Sequence, residues 1–187
     1  MANVLIPIAD GTEEMEAVIA IDVLRRAKVK VCVASVMPGR TDVTASRGVR
    51  LTADELLENC ASQTWDMIVL PGGMPGAVHL HDSELLARLL RDQLHNDRWI
   101  AAICASPAVV LGRHNLIPTA KATCYPSFQA ELAEYIEEVS EARVAQDGKL
   151  ITSQGPGTAM EFALLLVEVL CGKERAAEVA RGMVYQG

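Results

Sequence analysis

The sequence predicts a doubly wound α/β fold, in which a mainly parallel sheet carries helices on both faces. Two observations lead there. Short apolar runs recur without polar alternation, the mark of parallel strands covered on both sides. Helical patterns fill the intervals, and alternation of this kind winds into one sheet through right-handed crossovers.

In chain order, Asn3–Ile8 reads as the first strand and Glu14–Arg26 as the first helix. The acidic start (Glu13, Glu14) and basic end (Arg25, Arg26) of that helix complement its dipole. Strands are predicted over Val29–Val36, Asp66–Leu70 and Trp99–Ile103, and a helix over Ser83–Leu94. The last of these strands gives way to a helix over Ser106–Arg113, with Ser106 as N-cap and Pro107 in the first turn, where its missing N–H costs nothing. A fifth strand is predicted over Ala120–Cys124 and a helix over Phe128–Tyr135. Ala142–Ser153 reads as a hairpin about an Asp147-Gly148 turn. Gly155-Pro-Gly-Thr158 then opens a helix, with Thr158 and Glu161 as a capping box. That helix runs through Cys171, is apolar almost all round, and is expected to be deeply buried.

Half of the 187 residues are hydrophobic, which predicts one domain over residues 1–187 with a substantial core. A net charge of −7 with only 4% aromatics lacks the basic stripes and stacking rings of a nucleic-acid surface. The uncharged stretch from Trp99 to Gly112 is shorter than the ~18 residues that span a bilayer, and a proline interrupts it. No leader-like segment precedes the first strand, so a cytoplasmic protein is expected. The five cysteines (Cys32, Cys60, Cys104, Cys124, Cys171) show no C-x-x-C spacing, which predicts neither a disulfide framework nor a structural zinc site. No G-x-G-x-x-G follows the first strand and there is no P-loop, so no nucleotide cofactor is expected. His79-Leu-His81 lacks further ligands at suitable spacing and reads as a solvated helix face rather than a metal site.

Ligands of open α/β sheets bind beyond the carboxyl ends of the strands. The candidate site therefore gathers Ala9–Glu16, Pro71–Gly76, Cys104–Pro107 and Tyr125-Pro126. Cys104 stands where a buried strand becomes a helix, among amides without intrahelical partners and at the positive end of a dipole. Both features favour the thiolate, in a nucleophile-elbow arrangement without the usual flanking glycines. Gly72 and Gly73 allow a sharp turn with bare N–H groups, and the Gly73 and Ala105 amides are candidates for an oxyanion cradle. Glu16 falls in line with Ile19, Ala20 and Val23 on the first helix and so points inward. Desolvation should raise its pKa and let it donate a hydrogen bond to a thiolate and exchange a proton with substrate. Asp22, on a partly apolar face, reads as a structural or interface carboxylate. All four histidines precede residue 115, which is incompatible with a Cys-His-Glu triad of the glutamine-amidotransferase kind.

Four segments together carry a resemblance: Ala9-Asp-Gly-Thr-Glu-Glu-Met-Glu16-Ala, Val69-Leu-Pro-Gly-Gly73, Ile100-Ala-Ala-Ile-Cys104-Ala, and Ser153-Gln-Gly-Pro-Gly-Thr158 followed by Glu161-Phe162. In this order they resemble the ThiJ/PfpI superfamily, in its branch of the human parkinsonism-associated protein and the bacterial YajL proteins. The resemblance implies a flavodoxin-like fold, a homodimer, and a reactive, oxidation-prone Cys104 beside a protonated Glu16, with Gly73 and Ala105 as oxyanion amides. Arg26 and Arg47 match positions from which relatives present basic groups near the site, Arg26 across the dimer. Two departures follow from the same comparison. Tyr125 stands where human-type members have a histidine, and a phenol of pKa ~10 is a donor rather than a neutral-pH base. Ala105 stands where the peptidase branch has histidine, so proteolysis is not expected. The resemblance implies glyoxalase or deglycase chemistry on methylglyoxal-type carbonyls or glycated protein side chains. The alternative it implies is an oxidative-stress-responsive redox-sensor chaperone with little or no turnover.

Overall fold

A computed structural model describes residues 1–186. Its elements are β1 (Asn3–Ile8), α1 (Glu14–Arg26), β2 (Lys30–Ser35), β3 (Asp42–Thr44), β4 (Arg50–Thr52), β5 (Glu55–Leu56), α2 (Leu57–Cys60), β6 (Met67–Leu70), α3 (Gly76–His81) and α4 (Glu84–His95). They continue with β7 (Trp99–Ile103), a π-helical turn over Pro107–Gly112, β8 (Lys121–Ala122), α5 (Gln129–Leu132), β9 (Glu138–Val139), β10 (Val144–Asp147), β11 (Leu150–Ser153), α6 (Ala159–Cys171) and α7 (Lys173–Gly182).

The main sheet has the order β10-β11-β7-β6-β1-β2-β5, and only its edge strand β10 runs antiparallel to its neighbour. Taken in chain order, the five central parallel strands follow the flavodoxin-like sequence 2-1-3-4-5, whose switch point lies between the first and third. Here that point lies between β1 and β6. The uninterrupted apolar runs are explained by burial on both faces: Leu5, Ile68, Ile100 and Ala102 pack under α2, α3, α4 and the π-helical turn. Val4, Ile6, Val69 and Ala101 pack under α1 and α6. On α1, Ala17, Ala20, Val23 and Leu24 supply the buried stripe at three- and four-residue spacing. Among the described residues no helix is long and apolar enough to cross a membrane.

Several sequence expectations are corrected. Ala120–Cys124 is not a strand of the main sheet, because Leu150–Ser153 occupies the seat beside β7. Only Lys121–Ala122 is extended, and it pairs with β9 in a separate two-stranded sheet. The hairpin about Asp147-Gly148 is present as β10–β11. The helix expected over Phe128–Tyr135 contracts to α5 behind a 3-10 turn at Pro126–Phe128. Thr158 does not cap α6: its hydroxyl pairs with Ser153 Oγ at 2.6 Å, while Glu161 binds Arg143. Nor is α6 buried all round. Phe162, Ala163, Leu166 and Val167 are buried, whereas Leu164 and Leu165 are half-buried along a groove against α7, and Cys171 is exposed. The β3–β4 hairpin, β5, α2 and α7 escaped the sequence reading, most of them being too short to show a period, and of α3 only the helix face at His79 and His81 was read.

Candidate active site

The loops after β1 and β6 meet at the switch point with backbone against backbone. The Glu13 amide donates to the Gly72 carbonyl at 2.9 Å. A side chain on Gly73 would lie 2.4 Å from the Glu13 nitrogen, and Gly73 itself has φ +88°, so glycine is required there on both counts. Gly72 is wedged as well: an added Cβ would meet Cys104 Cβ at 2.6 Å and Glu16 Oε2 at 2.9 Å. These contacts bring the nucleophile and the carboxyl together across a single glycine.

Cys104 occupies the end of β7 in a left-handed conformation, φ +65°. For a residue with a Cβ this costs ~1–2 kcal/mol, and such strain persists only where neighbours over-determine it. Its amide donates to the Ser153 carbonyl at 2.9 Å, and its carbonyl accepts from the Tyr125 amide at 2.8 Å. Ser106 is not an N-cap. Its backbone is already helical, and its hydroxyl donates to the Pro71 carbonyl at 2.6 Å, tying the Cys104 loop to the Gly72-Gly73 loop. The following turn closes with Arg113 N–H to Ala108 C=O, five residues apart, at 3.1 Å. Single π-turns of this kind are frequent beside functional sites.

Glu16 is 1% exposed. Its Oε2 accepts from the Gly72 amide at 2.7 Å, and its Oε1 has no hydrogen-bond partner. Burial, opposed by the Gly72 amide and the Cys104 side chain, raises its pKa from 4.5 to about 7. The inward, desolvated carboxyl expected from helix phase is therefore present. The acidic thiol is not. Burial first, then the negative charge of Glu16, pushes Cys104 up to about 12, against the lowering effect of hydrogen bonds from the Gly73 and Ala105 amides. Those amides act in the expected direction and are outweighed. Part of the rise is the Glu16 charge itself, which vanishes when Glu16 is protonated.

A cavity of about 390 Å³ opens over this pair. Cys104, Gly73 and Ala105 form its floor, with Tyr125 and Arg47 at its sides. Pro126 follows Tyr125 in sequence but is exposed and does not line the cavity. Arg26 is also outside it. Ten residues beyond Glu16 on α1, about 15 Å along the axis, it pairs with Asp22 at 2.8 Å on the surface. That pairing gives Asp22 a structural role within α1.

Glu13 and Met74 line the cavity from within the stretches gathered from the sequence, whereas Ser46, Phe128 and Pro156 lie outside them and were missed. Ser46 carried no sequence signal. Its hydroxyl lies 2.7 Å from Glu13 Oε2 and 2.8 Å from Glu14 Oε2, and the Arg47 amide donates to Glu14 Oε1 at 2.8 Å. Burial raises the Glu14 pKa, but the hydrogen bonds, including those from its own amide and from Ser46 and Arg47, outweigh it and hold Glu14 below its ordinary value. This network docks the segment before β4 over α1 and places Arg47 at the cavity. His81 and His114 stack on one another with ring centroids 4.3 Å apart and do not line it. A groove of about 520 Å³ between α6 and α7 is larger but is lined by no cysteine, serine or histidine.

Comparison with known proteins follows the same geometry. The model of the DJ-1/PfpI family matches residues 2–169. Protein DJ-1 homolog B of Arabidopsis thaliana is 47% identical over 184 residues, covering 98% of this chain and 42% of the relative. The chain thus spans less than half the length of that protein, and 45% of its Arabidopsis companion, homolog A. A protein of Caenorhabditis elegans named glutathione-independent glyoxalase DJR-1.2 is 34% identical, with 93% of this chain and 90% of that protein covered. Among solved structures, oxidized Toxoplasma gondii DJ-1 superposes with a TM-score of 0.95 at 45% identity, covering 100% of both chains.

Proposed function

This chain belongs to the DJ-1/PfpI family, and from that premise we propose that it is a cysteine-dependent glyoxalase needing no glutathione. Its substrates are 2-oxoaldehydes such as methylglyoxal and the adducts they form on protein side chains. One observation carries the reading: a cavity floored by a strained cysteine and two amides directed at its sulfur lies over a buried carboxyl, Glu16, whose pKa is about 7 and which sits against Gly72 beside Cys104.

The raised thiol and the near-neutral carboxyl define the first step. As Cys104 Sγ attacks the aldehyde carbon, the C–S bond forms and the thiol proton passes to Glu16. The carbonyl oxygen becomes an alkoxide held by the Gly73 and Ala105 amides, and Glu16 returns the proton to give a hemithioacetal. Glu16 then takes the proton from the former aldehyde carbon to give an enediol and delivers it to the adjacent carbon, while the hydroxyl proton on the first oxygen passes to the second, leaving a 2-hydroxyacyl thioester. Water cleaves that thioester and frees Sγ, so methylglyoxal plus water becomes lactate with no external oxidant or reductant. Arg47 and Tyr125 offer donors to the second carbonyl oxygen.

We place the protein as a single-domain homodimer that uses α1, where Met15 and Val18 are 52% and 45% exposed. In such a dimer Arg26 would have to give up its pairing with Asp22 to serve the partner's cavity. Five unpaired thiols suit a reducing cytoplasm. The test is lactate formation from methylglyoxal by purified protein without glutathione, which Cys104→Ser should abolish. Wild-type protein that forms no lactate overturns the reading.

One observation favours a second function, a redox sensor with little turnover. Glu16 Oε1 is buried without a partner, and a Cys104 sulfinate would supply an acceptor for its proton while the two amides hold the other oxygen. Absence of lactate together with peroxide-induced sulfinate on Cys104 supports this alternative.

A further inference from the structure

Two cysteines stand together outside the cavity. Cys32 lies on β2 and is partly exposed, whereas Cys60 ends α2 and is buried. Although 28 residues apart in sequence, their sulfur atoms are 3.7 Å apart. The approach is a product of topology: β5 pairs alongside β2, and α2 follows β5 immediately and folds back onto the same face. Cys60 also faces the Leu56 carbonyl at 3.7 Å within its own turn, which fixes the direction of its side chain toward β2.

We propose that Cys32 and Cys60 form a second redox site, separate from Cys104, which hydrogen peroxide converts into an intramolecular disulfide. Accessibility orders the two steps. Partly exposed Cys32 attacks the peroxide oxygen: the S–O bond forms, the O–O bond breaks, and one water leaves with the thiol proton. Buried Cys60 then attacks the Cys32 sulfur. The S–S bond forms, the S–O bond breaks, and the hydroxyl departs as a second water with the Cys60 proton. The sulfur atoms must close from 3.7 Å to the ~2.05 Å of a disulfide. Burial raises both thiols, Cys60 to about 12, so the pair rests as two protonated thiols until an oxidant arrives.

The consequence reaches the cavity. The segment enclosed by the new bond contains the β3–β4 hairpin together with Ser46 and Arg47. Those residues dock on Glu13 and Glu14 and form one wall over Cys104. Oxidation would staple the base of that wall to β2, giving the chain a redox state distinct from modification of Cys104 itself.

Peptide mass spectrometry after hydrogen peroxide treatment of the folded full chain, with quenching and alkylation in denaturant, tests this directly. A Cys104→Ala chain run beside the wild type keeps the outcome independent of the proposed glyoxalase reaction. Both proteins should yield one cross-linked peptide pair joining Cys32 to Cys60, lighter than the two thiol peptides by two hydrogens and released by dithiothreitol. In Cys60→Ser the cross-link should vanish and Cys32 should appear as sulfenic or sulfinic acid. The proposal is overturned if wild-type Cys60 remains fully alkylatable while Cys32 is oxidised, or if neither thiol reacts at doses that oxidise Cys104.

Discussion

Replacing Glu16 by Gln removes an ionisation that burial makes costly, and the loss is readable as a pH-dependent stability difference. In the folded chain the carboxyl titrates near 7 instead of 4.5, so the native state binds the proton more tightly than the unfolded state does. Between these two values the native state holds more protons, and stability falls as pH rises; below 4.5 both states are protonated and the cost is absent. At ~1.36 kcal/mol per pH unit the full loss above pH 7 is about 3 kcal/mol, most of which accrues between pH 5 and pH 8. The amide has no such titration. Urea unfolding of both proteins at equal protomer concentration should therefore show Glu16→Gln gaining roughly 2–3 kcal/mol on wild type from pH 5 to pH 8. Stopping at pH 8 keeps the unfolded thiols largely protonated, so their titration contributes little. Turnover of methylglyoxal should fall by ~100-fold or more in the same variant, the usual scale for a lost acid–base group. A stability difference that is the same at both pH values would refute the burial argument, and undiminished turnover would refute the proton-transfer role.

Other expectations follow from the same geometry. Because Cys104 is held at φ +65°, Cys104→Gly should be more stable than Cys104→Ala by ~1 kcal/mol in thermal or chemical denaturation; equal stabilities would mean that the conformation is not strained. Gly72→Ala should drive a methyl against Cys104 Cβ and Glu16 Oε2, lowering stability by ~1–3 kcal/mol and eliminating most turnover; a variant with normal kinetics would show that the loop is looser than its contacts imply. Light scattering should give twice the protomer mass for wild type, and Met15→Glu with Val18→Glu should give monomers, since both side chains are exposed on α1; a wild-type monomer at micromolar concentration would remove the dimer.

Elements whose signal is local were legible in sequence. The continuous apolar runs at Asn3–Ile8 and Trp99–Ile103 became central strands, and the three- and four-residue spacing on α1 placed Glu16 inward. Where two segments competed for one place, local pattern was not enough. Ala120–Cys124 and Leu150–Ser153 are both apolar enough to pair with β7, and the hairpin partner β10 gives the second run its register. Ser106 has the residue type of an N-cap, yet its backbone is already helical and its hydroxyl satisfies the buried Pro71 carbonyl on a neighbouring loop, a partner 35 residues away in sequence.

By itself the sequence determined the strand–helix alternation, the position of Cys104 where a strand meets a helix, and the phase that turns Glu16 toward the core, because each depends on neighbours within a turn or two of chain. The tertiary structure alone decided the state of the site. It supplied Ser46 and Arg47 from a distant hairpin, left Arg26 far from the cavity of its own chain, and set Cys32 against Cys60. It also reversed the expected acidity of Cys104, for the amides at the strand end favour the thiolate while burial beside the Glu16 carboxylate opposes it more strongly. Desolvation and charge act through space, and their balance is set by what the whole chain brings to within a few ångströms of the sulfur.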